Sequence, residues 1–172
     1  LFVVWEWRVR SPMVKLELFR SKAFSGANVY TLILFFALTA VLFFLPMTLV
    51  SAWGKPEWQA SLVMLPLSIA IATLSGRAAR WSDAVGPRMP LTIGAILMTV
   101  SYAGVALTMP AMAMWSVTLP ILALHAVGMA LLVSPLSAAV MLATPDSDTG
   151  LASGVNHAVA RAAGLLAVAG LG

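Results

Sequence analysis

The sequence has no cysteine and very little charge. Without cysteine the chain cannot form disulfides, thiolate metal sites or a cysteine nucleophile. Only 9% of the 172 residues are charged, whereas 61% are hydrophobic, and the mean hydropathy is +0.98. This composition is far from that of a soluble domain and predicts a protein whose surroundings are mostly lipid.

The few charged residues lie mostly between the apolar runs. Residues 6–26 carry five basic residues against two acidic ones, and residues 77–88 carry three against one. The turns at 51–57 and 110–114 have no net charge, and the connection at 144–149 carries only Asp146 and Asp148. Basic connections stay in the cytoplasm and acidic residues affect orientation little, so all three charged connections are predicted inside. The net charge of +4 is therefore a topology signal and indicates no nucleic-acid partner.

Five apolar runs approach or exceed the roughly 20 residues that a membrane-spanning helix needs. We place these spans at about 27–50, 58–75, 89–109, 115–143 and 150–172. Pro66 should kink the second span and Pro135 should bend the fourth, because proline removes a backbone hydrogen bond. The sequence thus predicts an all-α integral membrane bundle with four complete spans and most of a fifth, in a single domain.

The ends of the chain indicate a piece of a longer protein. It begins at Leu1 rather than at methionine and stops within an apolar run. We interpret Leu1–Trp5 as the tail of a preceding helix, and Ser11–Pro12 as the start of a short helix at the membrane surface.

The densest patch of charge is ARWSDAVGPR, residues 79–88. Gly86 and Pro87 predict a tight turn, because glycine tolerates unusual backbone angles and proline cannot donate a hydrogen bond. Asp83 stands where a helix end needs a charged or hydrogen-bonding partner.

This patch resembles the loop signature of the major facilitator superfamily, which follows the second helix of each half. The matching residues are Arg80, Ser82, Asp83, Gly86, Pro87 and Arg88. Three positions depart from the pattern, namely Ala79, Ala84 and Met89, as is typical of the copy in the C-terminal half. The resemblance implies that Arg80, Asp83, Gly86 and Arg88 belong to a loop that latches one conformation.

The last span, GLASGVNHAVARAAGLLAVAG, carries two patterns. Small residues recur every four positions and predict a smooth stripe for close helix packing, at Gly150, Gly154, Ala158 and Ala162. Asn156, His157 and Arg161 interrupt the apolar helix, and Arg161 lies about 17 Å from its start at 1.5 Å per residue. Ionisable groups are costly at that depth, so we expect these residues to face the bundle interior or the cytoplasmic mouth.

Two interpretations of Asn156 and Arg161 stay open. They line or support a transport path, or they tie this helix to a neighbour through hydrogen bonds. We interpret His157 and His125 as structural contacts rather than proton carriers. Met109, Met112 and Met114 have no nearby histidine or cysteine, so we interpret them as apolar filler rather than a copper path, and we predict no metal site.

The same span resembles the thirteenth helix of fourteen-helix drug:proton antiporters, in which G-L-A-S-G-x-N and a later arginine recur. Residues 5–20 resemble the connection after the eighth helix of those proteins. The resemblance implies proton-coupled export of drugs or other small amphipathic solutes by alternating access, in a bacterial cytoplasmic membrane. It implies no cofactor beyond the proton gradient, and an N-terminal half that holds the main proton carrier. The implied partners are the lipid bilayer, the solute, protons and that half.

Two other functions remain as alternatives. Ser153 and His157 share a helix face four residues apart, which superficially resembles the serine and base of an intramembrane enzyme. The context G-x-x-S-G differs from the G-x-S-G of intramembrane serine proteases, so we expect no enzyme. The second alternative is a membrane scaffold subunit that does not transport.

Overall fold

The computed structural model describes residues 16–172, which are helical apart from short connections. A 3₁₀ turn at Leu16–Arg20 precedes six α-helices. They are α1 (Lys22–Ser51), α2 (Glu57–Leu62), α3 (Leu65–Val85), α4 (Arg88–Thr108), α5 (Leu119–Leu142) and α6 (Thr149–Leu171). The predictions made for residues 1–15 lie outside the described residues.

Five helical segments within 16–172 are long and apolar enough to cross a membrane, which confirms the all-α membrane fold. They are Lys22–Ser51, Glu57–Val85, Arg88–Ala111, Met114–Leu142 and Asp146–Leu171. Most of the recorded hydroxyl donors within these segments bond to the carbonyl four residues earlier, as Thr48 does to Phe44 at 2.8 Å. Hydrogen bonding within each segment is what lets a helix lie in lipid, where no water can satisfy the backbone.

The second span differs from the prediction at both Pro66 and its C-terminal end. Pro66 lies in the first turn of α3, and a break at Val63–Met64 separates α2 from α3, so the span is divided rather than kinked. The helix then continues to Val85 instead of ending near residue 75. A helix need not stop where its apolar run stops, because arginine and alanine remain good helix formers in water.

Helix α5 occupies the centre of the described bundle. Its Met129, Leu132 and Leu136 pack in one cluster with Leu34 of α1 and Met98 of α4. On another side, Ala126 and Ala130 of α5 pack against Ala70 of α3. Helix α5 therefore contacts α1, α3 and α4, and it also contacts α6.

Helices α4 and α5 cross at two glycines. A Cβ atom added to Gly128 would lie 3.1 Å from the carbonyl oxygen of Gly94, and one added to Gly94 would lie 2.6 Å from Cδ2 of Leu132. Near the same interface, the Ser101 hydroxyl donates to the Ile121 carbonyl at 2.8 Å. The missing side chains let the two backbones come close, as small residues do between membrane helices.

Two further clusters lie toward the ends of the bundle. Leu18, Phe24, Val140 and Ala152 bring together the start of α1, the end of α5 and the start of α6. At the other end, Leu49, Val63, Met114 and Leu122 pack together. The helices thus alternate in direction, and the charged connections around residues 20, 87 and 147 share one end, as the predicted topology requires.

Candidate functional site

A buried polar junction joins α6 to α1. The side-chain amide of Asn156 donates to Thr31 Oγ1 at 2.7 Å and to Asn28 Oδ1 at 3.3 Å. Thr31 is fully buried, and Asn28 is only 4% exposed. Hydrogen bonds therefore hold these two helices in a defined register, where apolar contact alone would leave the register loose.

The backbone of α1 orients the two acceptors. Asn28 Nδ2 donates to the Phe24 carbonyl at 3.0 Å, and Thr31 Oγ1 donates to the Ala27 carbonyl at 2.9 Å. With the Thr31 hydroxyl proton and one Asn28 amide proton donated inside α1, Thr31 Oγ1 and Asn28 Oδ1 are oriented to accept from Asn156. Of the two interpretations of Asn156, the structure therefore favours the one that ties neighbouring helices together.

The face of α6 that packs on α1 is not the predicted small-residue stripe. The packed face carries Ala152, Ala163 and Ala167, all fully buried, and a Cβ atom added to Gly164 would lie 3.2 Å from Thr39 Oγ1. The stripe lies elsewhere on the helix: Gly150, Gly154, Ala158 and Ala162 are all exposed. Within residues 16–172 the stripe packs against no helix, and close packing along it stays a prediction.

Helical geometry explains why the stripe does not face α1. Successive residues of an α-helix turn by about 100°, so Gly154 and Asn156 are about 200° apart around the axis. Once Asn156 turns toward Thr31, the stripe must face away from α1. A Cβ atom added to Gly150 or Gly154 meets nothing within 4 Å in the described structure.

The same geometry separates Asn156 from the two ionisable residues. Arg161 lies about 140° around the axis from Asn156, whereas His157 lies close to Arg161. Both His157 and Arg161 are exposed, and neither has a recorded polar partner within residues 16–172. Within residues 16–172 neither side chain faces a neighbouring helix, so the expectation that they face the bundle interior or the cytoplasmic mouth stays a prediction.

The pairing of Ser153 with His157 is not assembled either. Among residues 16–172 no hydrogen bond is recorded between these two side chains, and His157 is exposed. The structure gives no support to a serine–base pair at this position.

The charged patch at residues 79–88 is mostly helical. Residues 79–85 form the last turns of α3, and Arg88 begins α4, so Gly86 and Pro87 alone connect the two helices. Gly86 has φ +85° and its amide donates to the Ser82 carbonyl at 2.8 Å, which confirms the predicted tight turn. The left-handed backbone angle explains why glycine is needed there.

The charged side chains of this turn point to solvent. Arg80, Asp83 and Arg88 are exposed, and within the described part of the chain none has a recorded ion pair. Asp83 lies near the carboxyl end of α3, where the helix dipole disfavours an acid. No described contact explains an acid at this position.

Comparisons with known proteins agree with this helical arrangement. The model of the Major Facilitator Superfamily matches residues 6–168. The chain belongs to the major facilitator superfamily.

Two curated relatives extend this assignment. The chain is 28% identical over 158 residues to the multidrug resistance protein Stp of Mycobacterium tuberculosis, covering 92% of the chain and 29% of Stp. It is 34% identical over 99 residues to the uncharacterized MFS-type transporter YhcA of Bacillus subtilis, covering 58% of the chain and 18% of YhcA. The chain therefore spans less than a third of either relative. No solved structure matches it significantly.

This superfamily chain also buries an aromatic pair between α4 and α5. The rings of Tyr102 and His125 meet edge to face with centroids 5.1 Å apart. His125 is 2% exposed, and neither Tyr102 Oη nor His125 Nε2 has a hydrogen-bond partner among residues 16–172. His125 is thus a packing residue in the described structure, and the contact with Tyr102 was not anticipated from the sequence.

Sequence reasoning also missed the α1 side of the polar junction. Asn28 and Thr31 are three residues apart in an uncharged, mostly apolar run, which puts them on one helix face. That spacing was a usable signal, but it did not identify Asn156 as their partner 125 positions further along the chain from Thr31.

Proposed function

We propose that this chain is part of a secondary transporter that exports small amphipathic solutes, including drugs, in exchange for protons. The natural-length protein would work by alternating access in a bacterial cytoplasmic membrane, as a member of the fourteen-helix drug:proton antiporter branch. Membership of a transporter superfamily and similarity to a protein named for multidrug resistance support the proposal.

The observation that carries the proposal is the ionisable face of α6. Arg161 is the thirteenth of 23 helical residues and is exposed on the described bundle, on the same side as His157. An arginine facing lipid at the centre of a membrane costs about 2.5–3.5 kcal/mol on insertion scales. We infer that this face turns toward a polar path in the natural-length protein.

The hydrogen bonds between α1 and α6 support this role. They set the rotation of α6, and that rotation places Arg161 and His157 away from α1. Alternating access needs helices that move as rigid groups around a central site. The junction would keep α1 and α6 together during such a movement, while the short Gly86–Pro87 turn would hold α3 and α4 in a fixed relation.

The test measures solute export by the natural-length protein in everted membrane vesicles. We expect a fluorescent amphipathic cation to accumulate in the vesicles when a proton gradient is imposed, and the accumulation to collapse on addition of a protonophore. Transport that persists unchanged after the gradient has collapsed would contradict proton coupling.

Arg161 gives the sharper measurement. We expect Arg161→Lys and Arg161→Gln each to lower export at equal membrane abundance, because lysine lacks the planar set of donors and glutamine lacks the charge. The matched control is Arg77→Lys, because Arg77 is also exposed and its one recorded hydrogen bond within residues 16–172 goes to the Thr73 carbonyl of its own helix, at 3.1 Å. Normal export by Arg161→Gln would contradict a functional role for this face of α6.

A further inference from the structure

The second span is interrupted near its outer end, the end of the bundle opposite the charged connections. Where α2 meets α3, Val63 has ψ −21° and Met64 has ψ −13°, whereas an α-helix has ψ near about −42°. The Met64 amide donates to the Ser61 carbonyl at 3.0 Å, and the Leu67 amide donates to the Met64 carbonyl at 3.2 Å. Both hydrogen bonds reach back only three residues. A short 3₁₀ turn therefore divides the span, and such turns inside a helix often mark hinges.

Pro66 explains this interruption. Proline has no amide proton, so the Leu62 carbonyl lacks the donor that an α-helix would provide four residues later, and the proline ring also presses on that carbonyl. The cause lies within four residues of the break and does not depend on any segment outside residues 16–172. The same turn is therefore expected in the natural-length protein.

A second proline-dependent interruption lies in the fourth span. Residues Met114–Thr118 form a π-helix, in which the Thr118 amide donates to the Ala113 carbonyl at 3.1 Å, five residues earlier. Pro120 follows in the first turn of α5 and leaves the Ser116 carbonyl without its α-helical donor. Turns of π-helix are rare and occur frequently at functional sites.

The two interruptions meet in one cluster of side chains. Val63, at the break in the second span, and Met114, the first residue of the π-helix, are both buried and belong to the cluster that contains Leu45 and Leu49 of α1. Pro46 lies between these two leucines, inside α1, where it also removes a backbone hydrogen bond. Three spans thus have incomplete helical hydrogen bonding where they pack against one another.

The two parts of the second span pack against different neighbours. At the outer end, α2 packs on the end of α1 through the cluster that contains Val63. Further in, Ala70 of α3 packs on Ala126 and Ala130 of α5. The 3₁₀ turn therefore joins a segment held by α1 to a segment held by α5.

We propose that α2 is an outer gate that pivots about the Val63–Met64 turn, together with the outer end of α1 and the π-helix. Bending at this turn breaks no further backbone hydrogen bond at the Leu62 carbonyl, which matters in lipid because no water can replace a broken bond. Helix α3 stays packed on α5 during the movement. The proposal rests on the proposed transport function, because alternating access requires the outer side of the bundle to open and close.

Distances between paired spin labels test the movement without measuring transport. One pair replaces Trp58 and Gly76, which lie 18 residues apart on the two sides of the turn, and the matched pair replaces Met89 and Leu107, also 18 residues apart but within α4. All four positions are exposed on the described bundle. Pulsed electron paramagnetic resonance is recorded on the natural-length protein in lipid nanodiscs, with any cysteines outside these 172 residues replaced. We expect a clearly broader distance distribution for the pair that spans the turn, and equal widths would overturn the proposal.

Proline substitutions locate the hinge. Pro66→Ala returns a donor to the Leu62 carbonyl, so the distribution for the pair that spans the turn should narrow to the width of the α4 pair. Pro56→Ala is the matched control, because Pro56 is exposed and precedes the first turn of α2, and it should leave the distribution unchanged. Equal effects of the two substitutions would show that the turn at Val63–Met64 is not the hinge.

Export measurements separate the gate from the transport function itself. At equal membrane abundance, Pro66→Ala should export the fluorescent cation several-fold more slowly than Pro56→Ala, because the gate no longer pivots. Normal export by Pro66→Ala with a narrowed distance distribution would overturn the gating role. Absence of export from the wild type would contradict the transport function, whereas the hinge would still be decided by the label distances.

Discussion

The α4–α5 and α1–α6 interfaces hold their helices together in different ways. At α4–α5 two glycines bring the backbones close, and a Cβ atom added to Gly94 or Gly128 would lie 2.6–3.1 Å from atoms of the other helix. At α1–α6 the contact is made by alanines and by three polar side chains, among which Asn156 donates to both partners on α1. One interface is specified by shape and the other also by hydrogen bonds.

This difference has consequences for stability and for motion. A glycine crossing tolerates no added volume, since the nearest atoms belong partly to the opposite backbone. A hydrogen-bonded junction tolerates a change of volume better but depends on the chemistry of each partner. Substitutions at the two interfaces should therefore differ in how much they lower stability. They should also differ in whether the effects of two substitutions are additive.

The largest effect is expected at the glycine crossing. Gly128→Val should destabilise the natural-length protein by about 1–3 kcal/mol or more, because the added methyl groups would press against the Gly94 backbone. Thermal unfolding, monitored as the loss of monodisperse protein on heating, measures this loss of stability. Gly76→Val is the matched control, since a Cβ atom at Gly76 meets nothing within 4 Å. Equal melting temperatures for the two variants would mean that the α4–α5 contact is looser than described.

An intermediate effect is expected at the polar junction. Asn156→Ala and Thr31→Val should each destabilise the protein, and a double-mutant cycle should give a coupling of about 0.6–1.7 kcal/mol, the range for hydrogen bonds between membrane helices. Ser153→Ala in place of Asn156→Ala provides the control cycle, because no hydrogen bond is recorded from Ser153 to Thr31. Strict additivity of Asn156→Ala with Thr31→Val would show that the 2.7 Å contact carries no net energy.

A smaller effect is expected from Tyr102→Phe, which removes a buried hydroxyl that has no partner among residues 16–172. Since the shape is kept and an unsatisfied group is lost, stability should stay the same or rise. Chemical or thermal unfolding of the purified variant tests this. A loss of more than about 1 kcal/mol would reveal a polar partner for the hydroxyl, such as a buried water.

The smallest effect on stability is expected from Asp83→Asn. The carboxylate lies at the unfavourable end of α3, and a single charge near a helix end contributes about 0.3–1 kcal/mol, so the change should be neutral or slightly stabilising. Export should nevertheless slow if the resemblance of this turn to a conformational latch is functional. Wild-type export rates at equal abundance would make Asp83 an ordinary solvated residue.

Much of the fold followed from local properties of the sequence. The five apolar runs predicted the spanning helices, because length and hydropathy largely decide whether a helix lies in lipid. The tight turn at Gly86–Pro87 was predicted for a similarly local reason. The second span was predicted to end near residue 75, ten residues before α3 ends at Val85. Hydropathy indicates where a helix leaves the apolar part of the membrane, whereas the helix itself can continue into water.

The side of each helix that faces a neighbour was decided only by the tertiary structure. The sequence by itself determined that residues 150–172 carry small, polar and ionisable positions in fixed angular relations, since helical geometry sets those angles. It did not determine which of these positions turns inward. The inward-facing side is set by the hydrogen bonds from Asn156 to Asn28 and Thr31, which are far from it in sequence. These bonds orient α6 so that Arg161 and the small-residue stripe face away from the described bundle. Pairing between distant segments depends on the packing of the whole bundle, which no local pattern contains.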